Sequence, residues 1–73
     1  MYKLIGGDNC SFCKSAKQLL ESKGLTYDYI DVMKDREAQA LFREKGLRKI
    51  PQIWKGDEYI GGFDKLSESF KAA

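Results

Sequence analysis

The only cysteines of the chain, Cys10 and Cys13, stand three residues apart, where a short apolar run gives way to helical patterning. That spacing limits how so short a chain can hold itself together. A domain of 73 residues buries only about 60% of its unfolded surface, and small domains of this kind often lean on several disulfides or a metal. One Cys-x-x-Cys loop constrains the unfolded chain little, because in the loop-entropy account the shortest closed loops stabilise least. The core must therefore come from packing, and the cysteine pair is available for chemistry.

The packing elements are legible in order. Tyr2–Ile5 reads as a strand, and Gly6-Gly7-Asp8-Asn9 as a loop. From Ser11 to about Lys23, the spacing of Phe12, Ala16, Leu19 and Leu20 predicts a helix, with Gly24 as its stop. Thr26–Val32 alternates and is rich in aromatic and β-branched residues, a second strand. Asp35 is placed to cap a helix carrying Ala38, Leu41 and Phe42 and ending at Gly46. Ile50–Trp54 and Tyr59–Gly61 flank the turn Lys55-Gly56-Asp57-Glu58, an antiparallel hairpin. Phe63 to Lys71 reads as a last helix through Phe63, Leu66 and Phe70. The result is one α/β domain over residues 1–73, ordered β-α-β-α-β-β-α, in which the strands separated by helices should pair in parallel.

Bulk properties exclude several functions. Thirteen basic and eleven acidic side chains are well mixed, with net charge +2, so no basic block points to nucleic acid. The chain shows no run long and apolar enough to span a membrane, and no signal peptide is expected. With no histidine, neither a Ser-His nor a Cys-His dyad can form. A structural zinc site needs four ligands and the chain offers two thiolates, so zinc would require two copies sharing four cysteines. Close cysteines in a reducing cytosol, the compartment that fits best, are more often catalytic or metal-binding than structural.

The junction gives the cysteines unequal roles. A thiol at a helix start meets the positive end of the helix dipole and N–H groups with no partner inside the helix. Both favour the thiolate, the form that attacks disulfides. Cys10, before the helix or capping it, should be exposed and nucleophilic. Cys13, one turn in, should be buried and should resolve a mixed disulfide. Lys14 and Lys17 either add positive potential or lie on a solvated face. Phe12 at an exposed tip would cover the thiol or touch a substrate.

Two later stretches carry further signals. Pro51 cannot sit inside a central strand. It opens a strand either in trans or in cis, and a cis bond would turn the backbone of Ile50 outward to pair with an extended peptide. Gly61-Gly62-Phe63-Asp64 lets backbone approach a ligand at a helix start, where N–H groups can take a carboxylate. Asp64 would cap that helix or accept an ammonium group.

Taken together, Cys10-Ser11-Phe12-Cys13, Lys49-Ile50-Pro51-Gln52-Ile53-Trp54 and Ile60-Gly61-Gly62-Phe63-Asp64-Lys65-Leu66 resemble the glutaredoxins over essentially the whole chain, and most of all their compact bacterial and phage members that supply electrons to ribonucleotide reductase. The resemblance implies a thioredoxin-like fold, a four-stranded mixed sheet flanked by three helices, with Pro51 cis. It implies a cytoplasmic, monomeric dithiol oxidoreductase using glutathione as co-substrate and no metal, with disulfide-containing proteins as substrates, ribonucleotide reductase among them. By the same resemblance, Cys10 takes the mixed disulfide and Phe12 flanks the ligand. Lys49, Ile50 and Pro51 belong to the same site, with Lys49 adding charge near the glycine carboxylate and the Ile50 backbone pairing to the cysteinyl residue. Gly62, Phe63 and Asp64 receive the γ-glutamyl end.

The chain departs from the family pattern in three places. Ser11 replaces a proline, Lys49 replaces a threonine, and Asp8-Asn9 stand where a lysine often precedes the first cysteine. These leave room for a redoxin reduced by thioredoxin reductase, or for a carrier of a glutathione-ligated iron–sulfur cluster. The latter usually shows Cys-Gly-Phe-Ser, against which Cys13 argues.

Overall fold

A computed structural model describes residues 1–71. The elements run β1 (Tyr2–Gly6), α1 (Ser11–Ser22), β2 (Tyr27–Asp31), α2 (Arg36–Lys45), β3 (Gln52–Lys55), β4 (Glu58–Gly61) and α3 (Phe63–Lys71). This is the expected order, with shifted ends. β2 stops at Asp31 because Asp31 closes a turn: its carboxylate accepts the Met33 N–H at 2.9 Å and its carbonyl accepts those of Lys34 and Asp35. β3 begins at Gln52 rather than Ile50, since Pro51 has no N–H to give a ladder.

The sheet order is β2-β1-β3-β4. β1 and β2 are parallel, with Leu4 beside Tyr29. β3 is antiparallel to β1, with Leu4 beside Ile53, and β4 is antiparallel to β3. The parallel pairing expected for β3 across α2 is therefore not formed. The reason is chain length. The ten residues of α2 advance about 15 Å, and the six of 46–51 can return about 20 Å. β3 thus starts beside the C-terminal end of β1, where Ile5 faces Gln52.

Side chains alternate across the sheet and feed two cores. Leu4 and Ile53 pack with Ala16, Leu20 and Leu66 under α1 and α3. Ile5 and Trp54 pack with Ala38 and Phe42 under α2. Caps fix the helix ends. Asp35 accepts the Ala38 N–H at 2.9 Å, and Gly46 ends α2 at φ 66°. Cores and caps together leave the C-terminal end of β1, the start of α1, the Pro51 loop and the start of α3 to build one end of the molecule.

Candidate active site

The cysteine pair sits where β1 hands over to α1. Residues 7–9 turn the chain, with Asn9 at φ 55°, a conformation asparagine tolerates. Cys10 is the N-cap of α1 in extended conformation, and its Sγ accepts the Cys13 N–H at 3.1 Å. The first turn of α1 carries no acidic residue. A negative charge on Cys10 would thus meet a backbone donor and the helix dipole with no carboxylate opposing it in that turn. Cys10 and Cys13 are joined as a disulfide. Cys13 is 1% exposed and Cys10 is half-buried, so an incoming group reaches the sulfur of Cys10 first.

Beneath Cys13 the packing is tight. A Cβ on Gly6 would lie 2.7 Å from Cys13 Sγ and 2.8 Å from the Tyr29 hydroxyl oxygen. Gly6, read as loop from its sequence, is the last residue of β1 and must be glycine for steric reasons. The Tyr29 hydroxyl donates to the Gly7 carbonyl at 3.0 Å. Burial, and then the carboxylates of Asp31 and Asp8, push Tyr29 above the usual tyrosine range. Lys17 Nζ lies 4.4 Å from the centre of the Tyr29 ring, a cation–π contact. Lys14 is exposed.

Beside the pair opens a groove of about 360 Å³. It is lined by Phe12, Lys49, Ile50, Pro51, Gly62, Phe63 and Asp64. The Phe12 and Phe63 rings form a tilted pair with centroids 6.0 Å apart. All seven residues singled out for the ligand thus lie around one space. The Ile50–Pro51 bond is cis, and among the described residues no hydrogen bond takes up the Ile50 N–H or C=O. Asp64 does not cap α3. The helix begins at Phe63, and the Gly62 carbonyl already accepts the Leu66 N–H at 3.0 Å. Asp64 stands instead in the first turn, exposed, with its carboxylate at the rim.

Gln52 and Lys65 also line the groove, and sequence reasoning passed over both. Gln52 is the one buried polar residue among those described, at 7% exposure. It accepts from the Tyr59 hydroxyl and donates from Nε2 to the Lys49 carbonyl at 2.9 Å. The hairpin is thereby tied to the loop of residues 49–51 that helps line the groove. A polar residue inside the apolar run Ile50–Trp54 was the available signal.

The glutaredoxin family model matches residues 1–60. The chain belongs to the glutaredoxin family. It is 41% identical over 58 residues to a glutaredoxin of Pseudomonas aeruginosa, covering 78% of this chain and 69% of that protein. It is 38% identical over 61 residues to the hybrid peroxiredoxin hyPrx5 of Haemophilus influenzae, covering 84% of this chain but only 25% of that longer protein. The fold is thioredoxin-like. A buckwheat glutaredoxin solved as its glutathione complex superposes with a TM-score of 0.82 at 24% identity, over 96% of this chain and 67% of that one. Among the described residues no cluster of three or more histidine, cysteine or acidic side chains could hold a metal ion, and no helix is long and apolar enough to cross a membrane.

Proposed function

We propose that the chain is a glutathione-dependent thiol–disulfide oxidoreductase with Cys10 as nucleophile and Cys13 as resolving thiol. The observation that carries this reading is the groove. It is lined by Phe12, a residue between the two cysteines, and pairs groups of the charge and shape that glutathione presents. The free backbone of Ile50 suits an extended peptide. The N–H groups of Phe63 and Asp64, at the start of α3, suit a carboxylate, and the Asp64 carboxylate suits an ammonium. Lys49 and Lys65 add positive charge for the second carboxylate. Glutathione complexed by a solved glutaredoxin of the same fold supports the choice of ligand.

In the forward direction, Cys10 thiolate attacks a disulfide R–S–S–R′ and expels R′S⁻, leaving Cys10–S–S–R. For a protein substrate, Cys13 thiolate attacks Cys10 Sγ and expels RS⁻. One glutathione thiolate then attacks Cys10 Sγ and expels the Cys13 thiolate; a second attacks the sulfur of the bound glutathione and expels the Cys10 thiolate, so that the two leave as glutathione disulfide. Protein disulfides, that of ribonucleotide reductase among them, and glutathione mixed disulfides are the substrates, in a reducing cytosol.

The test is reduction of a small glutathione mixed disulfide, with glutathione and glutathione reductase coupled to NADPH consumption. Turnover should vanish in Cys10→Ser and persist in Cys13→Ser. Turnover that requires thioredoxin reductase and ignores glutathione would replace this reading with that of a redoxin.

A further inference from the structure

We infer that the Tyr29 hydroxyl serves the buried sulfur: it is the hydrogen-bond donor that receives the Cys13 thiolate when the disulfide opens. The inference rests on the dithiol reading above but not on glutathione as the thiol.

The geometry begins with Gly6. Because that position lacks a Cβ, Cys13 Sγ and the Tyr29 hydroxyl border the same small space, 2.7 and 2.8 Å from where the Cβ would be. Cys13 is 1% exposed, so water does little to stabilise charge there. In the disulfide form Cys13 Sγ bears no charge, and the hydroxyl donates to the Gly7 carbonyl. A carbonyl is a weaker partner than a thiolate, because hydrogen bonds to charged groups are about twice as strong as neutral ones.

Opening changes the balance. A thiolate RS⁻ attacks Cys10 Sγ, the RS–Cys10 bond forms, and the Cys10–Cys13 bond breaks. The electron pair leaves on Cys13 Sγ, and no proton need move. Charge thus develops on a buried atom, and the donor bordering it is Tyr29. The hydroxyl exchanges the Gly7 carbonyl for Sγ, an atom that borders the same space over Gly6. Lys17 Nζ, 4.4 Å from the ring centre, adds positive potential at the ring that carries the donor. The hydroxyl keeps its proton, consistent with the upward push on its titration. The main-chain donor on this helix turn, Cys13 N–H, is directed at Cys10, so Cys13 needs a donor from another element. β2 supplies it.

The test uses Tyr29→Phe, which retains the ring, its packing and the lysine contact. The oxidised protein is opened by a small monothiol such as 2-mercaptoethanol, which needs no glutathione groove, and the second-order rate is followed. Loss of a hydrogen bond to a developing charge should slow opening about tenfold. In parallel, Cys10 alkylation is measured in the Cys13→Ser background with and without Tyr29→Phe. The two rates should be equal, because Tyr29 serves Cys13 alone. An unchanged opening rate would show that the hydroxyl only ties β2 to Gly7, and would overturn the inference. Equal slowing of opening and of Cys10 alkylation would also overturn it, since the substitution would then have disturbed the start of α1. If glutathione itself proves not to be the physiological thiol, these outcomes keep their meaning.

Discussion

Gly6→Ala is the sharpest packing test. The added methyl would sit 2.7 Å from Cys13 Sγ and 2.8 Å from the Tyr29 hydroxyl, with a ring carbon of Tyr29 at 3.2 Å. The first two are shorter than non-bonded contacts of a Cβ, and neither neighbour is the free end of a flexible chain. The sulfur is tied to Cys10, and the hydroxyl ends a rigid ring packed against the core cluster that holds Leu4 and Ala16. Gly6 does not have a left-handed φ, so the penalty is steric. Overpacking of a close-packed site costs about 1–3 kcal/mol. A domain of this size loses roughly 4–8 °C of Tm per kcal/mol, so a 2 kcal/mol penalty lowers Tm by about 8–16 °C. Gly7→Ala is the internal comparison. There the methyl meets Ile50 Cδ1 at 3.2 Å, the movable tip of an aliphatic chain, and the loss should be smaller. Thermal unfolding by circular dichroism of both variants, oxidised and reduced, checks the argument. The Gly6→Ala penalty should shrink on reduction, because Cys13 Sγ is then free to rotate away. A Gly6→Ala protein that melts with the wild type, or no lower than Gly7→Ala, would refute the claim that Gly6 is kept small by the sulfur and the hydroxyl.

Three further outcomes are expected. Asp35→Ala removes the cap on the Ala38 N–H and should cost about 0.5–2 kcal/mol, read by urea unfolding. Gln52→Leu breaks the link from Tyr59 to the Lys49 carbonyl. It should lower kcat/KM for glutathione by about 2- to 10-fold, mostly through KM, with a smaller effect on reduction by a monothiol that does not use the groove. Tyr27, which donates to Glu21, has its pKa raised to about 12, chiefly by that hydrogen bond, with desolvation and the Glu21 charge adding to it. A folded-state pKa above the unfolded value near 10 favours the protonated form in the folded protein. The associated stability is therefore present below about pH 10 and lost as pH rises toward 12. Phenolate absorbance of Glu21→Gln should show one tyrosine titrating closer to 10.

The legible parts of the fold were those written in local chemistry. Asp35, Gly24 and Gly46 mark helix ends because their side-chain oxygen or missing Cβ solves a problem inside one turn. The alternation Leu4/Ile5 and Ile53/Trp54 marks both faces of the sheet. The direction of β3 was not legible. It depends on how far residues 46–51 travel, and apolar periodicity carries no record of that. Of the groove, Phe12, Ile50, Pro51 and Asp64 could be named because they fall in short motifs, though the cap role considered for Asp64 went to Gly62. Gln52 was marked only by its polarity inside an apolar run, and Tyr59 and Tyr29, outside the groove, could not be named, since each acts through a partner 7 to 22 residues away. Gly6 looked like turn chemistry, and only the atoms across from it show why it must stay small.

The central claim is that the groove beside Cys10 is a glutathione site. It is tested most directly by NMR on Cys13→Ser protein carrying one glutathione as a mixed disulfide on Cys10. The account predicts backbone shift changes at Ile50, Gly62, Phe63 and Asp64 as well as around Cys10, with the Ile50 N–H newly protected from exchange. Shift changes confined to residues 9–14, with Ile50 and Asp64 unmoved, would contradict it.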